Sequence, residues 1–211
     1  MVFDLDGVLI DSEGAWSATR EELTNERSGD WHPRAHEAMM GMSSTEWSVY
    51  MRDDLGVDME PGAISDEVVR RLSEHYAREL PVLPGAVEAV ERMADRWPLA
   101  VASSSNRPLI ERVLELLGVQ DAFSAIVSSE EVARGKPAPD VYLEAAARLG
   151  VDPSACAAVE DSSNGLRSAR AAGMRVVAIP SAGYPPEKDA LAGADVVLRD
   201  LSELTPEAIA A

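Results

Sequence analysis

Cysteine is almost missing from this 211-residue chain: Cys156 is the only one. No internal disulfide can form, and a reducing compartment such as the cytoplasm is the expected setting. Cys156 lies among small and apolar residues and reads as core, not as a reactive thiol. No apolar run approaches the roughly 18 residues that a membrane-spanning helix needs, and no basic region precedes an apolar stretch at the amino terminus, as it would in a secretory leader. Basic charge is scarce too. The 19 Lys and Arg face 37 Asp and Glu, a formal charge of −18. General nucleic-acid binding rests on basic patches and is excluded on that ground. An anionic ligand would meet a repelling field, so any anion site must be locally positive, through a metal ion, amide groups or a placed cation. Of the two basic residue types lysine is the scarcer, present only as Lys136 and Lys188.

What is present is a good supply of apolar residues, 46% of the chain, enough for one large domain or a domain with an insertion. Helical spacing of apolar positions runs through residues 15–27, 34–40, 44–55 and 66–79, where strands are few. Ser43-Ser44 and Ser65 resemble helix starts. After Pro81 the pattern changes. Strands are predicted over 99–102, 125–127, 155–159, 175–179 and 196–198, and helices over 108–117, 139–149 and 165–172. Strands alternating with helices imply βαβ units and a parallel sheet. The expected fold class is therefore α/β: residues 1–13 and 81–211 form the core, and residues 14–80 an inserted all-α cap.

The first strand delivers two aspartates, Asp4 and Asp6, before Gly7 breaks it. At the carboxyl end of a parallel strand both can face the crevice where open α/β sheets bind ligands. Two such carboxylates suit a hard cation, and one could act as a nucleophile. Alone, the segment reads equally as a polar strand end followed by an Asp-Gly turn. Three more polar clusters fall where strands end. Ser103-Ser104-Ser105-Asn106 offers hydroxyls and amides for a phosphate, or a helix cap. Gly135-Lys136-Pro137-Ala138-Pro139-Asp140 carries a lysine on a loop that two prolines stiffen, readable also as a solvated surface lysine before a helix. Glu160-Asp161 adds two carboxylates. Parallel strands bring all four clusters to one sheet edge, a place for Mg²⁺ with a phosphate bridging metal and lysine.

In this order the four clusters resemble the motifs of the haloacid dehalogenase superfamily, in the branch with a helical cap after the first motif. The resemblance covers essentially the whole chain. It implies a Rossmann-like core with helices on both faces, dependence on Mg²⁺, and an aspartyl-phosphate intermediate. By the same resemblance Asp4 is the nucleophile and Asp6 the general acid and then general base, its carboxyl protonated for the first step. Mg²⁺ would sit on Asp4, the Asp6 carbonyl, Asp161 and Glu160. The phosphoryl oxygens would meet Ser103 and Lys136, with Ser104 and Asn106 beside them. The expected activity is hydrolysis of a small phosphorylated metabolite, a sugar or polyol phosphate, by a monomer or weak dimer.

Two other functions stand beside it. The β-phosphoglucomutases of this branch carry a cap Gly-x-Ser-Arg segment whose arginine grips a distal phosphate. Here Gly41-Met42-Ser43-Ser44 corresponds, with Ser44 in the arginine's place, and Trp16 replaces a mutase histidine. Both departures favour a phosphatase. A catalytically silent phosphometabolite binder would not need both Asp4 and Asp6. Trp16, Ser44 and Trp47 are the cap candidates for substrate contact, with Tyr50 and Met51 nearby, each readable also as cap core. His32 and His36 have metal-pair spacing but no completing carboxylate motif, and are expected to be solvated. Only Met1 to Phe3 precede Asp4, a short support for a central strand, which suggests a misassigned start or a trimmed chain.

Overall fold

The apolar run Val2–Phe3 forms β1, and its neighbours make it central. A computed structural model describes residues 1–40, 42–181 and 183–210, the last without its side chain. In chain order the elements are β1, then helices α1 (Glu13–Glu26), α2 (Ala35–Met39), α3 (Ser44–Asp53), α4 (Pro61–Arg78) and α5 (Ala86–Ala94). There follow β2 (Leu99–Ser103), α6 (Arg107–Leu117), β3 (Phe123–Ser128), α7 (Asp140–Leu149), β4 (Ala157–Glu160), α8 (Ser163–Ala171), β5 (Arg175–Ala178), α9 (Lys188–Leu191), β6 (Val196–Val197) and α10 (Pro206–Ala210). The strands make one six-stranded sheet in the order β3-β2-β1-β4-β5-β6, and every pairing is parallel.

Alternation along the strands sorts the core into two layers. Phe3, Leu99, Val101, Val159 and Val177 point to the layer that includes α5, α6 and the helices inserted after β1. Val2, Ala100, Ala102, Ala158 and Val176 point to the opposite layer, where α7 and α8 contribute Tyr142, Ala145, Ala146, Leu166 and Ala169. The strands facing both layers are therefore mostly apolar, as in β2, where all five residues are buried and only the last, Ser103, is polar. β1 is two residues long, yet backbone bonds extend its pairing on both sides: Ala100 N–H donates to Met1 O at 2.9 Å and Asp4 N–H to Val159 O at 3.0 Å. Asp4 is thus held by the sheet itself.

The four helices after β1 pack on one another through one face each. On α4 that face is Ile64, Val68, Leu72 and Tyr76, all buried, at the spacing an amphipathic helix requires. α3 opens with a reciprocal cap: Ser43 Oγ accepts from Glu46 N–H, and Glu46 returns a carboxylate to Ser43 N–H at 2.8 Å, which satisfies two end donors at once. The helix predicted to begin after Ser65 begins instead at Pro61, because proline at a first helical position has the required φ and no donor to lose. α5 was not predicted by the alternation of strands and helices. It fills the return from the cap, burying Ala86, Ala89, Val90 and Met93.

The chain leaves and re-enters the sheet layer side by side. Asp11 N–H donates to Pro81 O at 2.8 Å and Leu83 N–H to Leu9 O at 3.0 Å, with Ile10 and Val82 forming an antiparallel bridge. These two crossings tie the inserted helices directly above the end of β1.

Candidate active site

Four strand ends supply the site. Asp4 follows β1, Ser103 closes β2, Ser128 closes β3, and Glu160 closes β4 with Asp161 next. All of these residues are buried. Their depth decides their chemistry, since a buried carboxylate is costly unless it is paired or bound to a cation.

Lys136 is the cation that the loop after β3 delivers. Its Nζ donates to Glu160 Oε1 at 2.5 Å and stands 2.9 Å from Asp4 Oδ1, close enough to pair but off a hydrogen-bond direction, so that Asp4 Oδ1 lacks an aligned donor. Burial opposes charge on Lys136, yet Asp4 and Glu160 together hold it protonated well beyond the ordinary lysine range. Glu160 is saturated. Its Oε1 also accepts from Tyr142 Oη at 2.7 Å, and its Oε2 from the backbone of Asp161 at 3.1 Å and from the Ser162 backbone and hydroxyl. Gly165 leaves the room: a Cβ there would lie 1.9 Å from the Glu160 carboxyl.

Asp4, Glu160 and Asp161 each place a carboxylate oxygen within 4.8 Å of the others. Asp4 Oδ1 and Asp161 Oδ1 are buried with no hydrogen-bond donor. Burial, the Glu160 charge and the Asp6 charge push the Asp4 carboxyl up to about 8 against the opposing pull of Lys136, and burial with Glu160 and Asp4 raises Asp161 as well. Donorless oxygens on crowded carboxylates fit a hard divalent cation, which would neutralise them together. Gly7 closes this corner from above. Its φ of +78° is a left-handed conformation, and a Cβ there would fall 2.0 Å from Asp161 Oδ2, so only glycine fits.

Asp6 is separated from that cluster, a distinction the spacing alone does not make. Its carboxylate turns toward the inserted helices and accepts from Ser12 Oγ at 2.6 Å, Ser105 Oγ at 2.7 Å, Trp16 Nε1 at 3.3 Å and Ser103 Oγ at 3.4 Å. Three of these four donors are hydroxyls.

A cavity of about 690 Å³ opens over this floor. Asp4, Asp6, Ser104, Ser105, Lys136 and Asp161 line it from the sheet side, and Trp16, Arg20, His36 and Trp47 from the cap helices. Trp16 and Trp47 thus serve as cavity wall as well as core. Ser103, expected to meet the phosphoryl group, is wholly buried beneath the cavity, and Ser44 and Asn106 also do not line it. The Asn106 amide donates to Glu130 Oε1 at 2.7 Å and to Ser65 Oγ at 3.3 Å, and Ser44 Oγ donates to the same Glu130 oxygen. Tyr50 bonds His32, and Met51 is core. Gly41 of the expected cap segment lies outside the described residues. The expectation of solvated histidines fails for His36. Its Nε2 is 3.1 Å from Glu13 Oε2, and its ring packs edge-on against Tyr184 from the loop after β5.

The family described as haloacid dehalogenase-like hydrolase matches residues 1–179. The chain belongs to that family. Hexitol phosphatase B of Escherichia coli (strain K12) is 35% identical over 218 aligned positions, which cover 97% of this chain and 93% of that protein. Beta-phosphoglucomutase of Bacillus subtilis (strain 168) is 32% identical, covering 98% and 92%. The crystal structure of CbbY from Rhodobacter sphaeroides in complex with phosphate superposes with a TM-score of 0.89 at 25% identity, over 100% of this chain and 98% of that one. In this haloacid dehalogenase-like chain the sequence reading gave no site role to Ser12 or Arg20, and it named Ser105 and His36 without placing either at Asp6 or on the cavity wall. One signal was available: Glu13, Trp16 and Arg20 lie on one face of α1 at helical spacing.

Proposed function

We propose that the protein is a Mg²⁺-dependent phosphatase that hydrolyses a small sugar or polyol phosphate through an aspartyl-phosphate. The observation that carries this reading is the buried cluster of Asp4, paired with Lys136, and Asp161, whose Oδ1 has no donor, on the floor of a cavity large enough for a small metabolite. The relatives include proteins named hexitol phosphatase and fructose-1-phosphate phosphatase, which supports the substrate class.

Asp4, Asp161 and the Asp6 carbonyl would hold the ion, with Glu160 beside them, and the ion would neutralise phosphoryl oxygens and the attacking carboxylate. An Asp4 oxygen attacks phosphorus while the ester P–O bond breaks, and Asp6 gives its proton to the leaving alkoxide. Water then attacks the phosphorus of the aspartyl-phosphate, Asp6 takes the water's proton, and inorganic phosphate leaves. Lys136, fixed by Glu160, holds a phosphoryl oxygen throughout, with Ser103 and Ser104 at the same edge. Positioning and charge neutralisation are what phosphoryl transfer needs most.

The residue in the place of the mutases' cap arginine is Ser44, whose hydroxyl is bonded to Glu130 and which does not line the cavity. That departure favours hydrolysis over transfer back to a sugar. We place the protein in the cytoplasm as a monomer or weak dimer; no described helix is long and apolar enough to cross a membrane. Phosphate release from p-nitrophenyl phosphate and from a metabolite panel, with and without Mg²⁺, tests the activity. Turnover is expected only with Mg²⁺ and is expected to vanish in Asp4→Asn. Full activity in that variant rules out the covalent route, and bisphosphate-primed interconversion of hexose monophosphates would establish a mutase instead.

A further inference from the structure

Arg20 differs from the arginines that line the surface of this protein. Arg70, Arg71, Arg107, Arg148 and Arg167 each pair with glutamate or aspartate at the surface. Arg20 is 6% exposed, and among the described residues its guanidinium has neither a hydrogen bond nor an ion pair. Its Nε is wholly buried and has no acceptor. Two aromatic faces clamp it instead, with the guanidinium carbon 4.5 Å from the Trp16 ring centre and 4.6 Å from that of Trp47. Such stacking stabilises a cation but satisfies none of its five N–H donors. A buried donor without an acceptor is costly. Arg20 lines the cavity over Asp4, so the missing acceptors can come from a ligand there.

Position and charge define that ligand. Trp16 bridges the two groups, donating to Asp6 through Nε1 and stacking on Arg20 through its ring. On the phosphatase reading Asp6 meets the ester oxygen, and Arg20, joined to it through Trp16, is then set beside the alcohol portion of the substrate. The same cavity is lined by Asp11, Glu13 and Glu37. Glu13 and Asp6 act on Arg20 through space and offset part of what burial does to its charge. A second anionic group on the substrate would face all these carboxylates. Neutral hydroxyls meet both needs, accepting from the arginine and donating to the carboxylates.

We infer that Arg20 is a specificity-determining residue that binds the hydroxyls of a neutral polyhydroxy tail next to the phosphoester. This rests on the phosphatase reading above and names its substrate more narrowly. The test compares a hexitol monophosphate with p-nitrophenyl phosphate, which has no hydroxyl-bearing tail, in native protein, Arg20→Met and Arg20→Lys. In Arg20→Met the ratio of kcat/KM for the hexitol ester to that for p-nitrophenyl phosphate falls at least about tenfold, chiefly through KM. Arg20→Lys, which keeps the charge but loses the fork, falls in the same direction by less. A ratio unchanged in both variants overturns the inference, and so does a native preference for a phosphorylated carboxylic acid over the hexitol ester. If native protein turns over neither ester with Mg²⁺, the phosphatase reading fails first. Quenching of tryptophan fluorescence on titration with the hexitol ester then decides Arg20 alone: a Kd weakened at least about tenfold in Arg20→Met, or in Arg20→Lys should the first variant not fold, supports it. An unchanged Kd removes it.

Discussion

Lys136 is the residue on which the site's electrostatics turn. It is one of only two lysines, and it stands against Asp4 and Glu160 with its side chain 3% exposed. Removing one partner of a buried pair leaves charge without compensation, at a cost of about 3–5 kcal/mol. Asp4 can lessen that cost by taking up a proton. Lys136→Met is therefore expected to lower the melting temperature most in the absence of metal, with Mg²⁺ restoring part of the loss. Its kcat should fall about 10²–10³-fold, the usual effect of losing one preorganised donor to a developing oxyanion. A variant that melts like native protein in EDTA would show that the lysine is not what holds Asp4 and Glu160 together. Asp4, Lys136 and Asp161 were legible in the sequence because strand ends in a parallel sheet share one edge. Ser105 and Arg20 were not. Which serine of Ser103-Ser104-Ser105 faces Asp6 is set by the turn after β2, and an arginine on an amphipathic helix looks like surface until the two tryptophans are seen around it.

At the scale of elements, a helix shows in the sequence wherever one face is buried, and its ends are less certain. The helical reading over 66–79 catches the α4 face at Val68, Leu72 and Tyr76 but leaves out Ile64 and the first turn, because a capping serine competes with Pro61. α5 carries apolar residues at 86, 89, 90 and 93, a helical face lost between the cap and the strand pattern that follows. The turn after β1 is the element with least tolerance. Gly7 combines a left-handed φ with contact against Asp161. Gly7→Ala imposes about 1–2 kcal/mol of backbone strain and drives its methyl group into the Asp161 carboxylate. The expected outcome is a lower melting temperature together with a Mg²⁺ requirement for turnover raised several-fold. A loss of stability with the Mg²⁺ requirement unmoved would mean that Asp161 does not help hold the ion.

For the whole molecule, the −18 charge and the buried acidic cluster act together, because the fold gathers carboxylates that repel one another unless protons or a cation intervene. Asp4 is raised from its ordinary 3.8 to about 8 in the folded protein, so between those values the folded state binds more protons than the unfolded one. Its contribution to stability is then full below about pH 4 and is lost as pH rises toward 8. Asp161 is shifted in the same direction. Lys136 is raised above the ordinary lysine range, so its contribution is lost only at still higher pH and does not enter this window. A divalent ion competes with these protons and binds the ionised carboxylates. In EDTA, part of the melting temperature should therefore be lost between pH 5.5 and 8.5. The rise produced by a fixed Mg²⁺ concentration should be small at pH 5.5 and large at pH 8.5, as tighter binding to the folded state stabilises it more. Differential scanning calorimetry at both pH values, with EDTA and with Mg²⁺, measures all four quantities. An equal Mg²⁺ effect at the two pH values would mean that the ion does not displace protons from Asp4 and Asp161, and the assignment of the site to these carboxylates would fall.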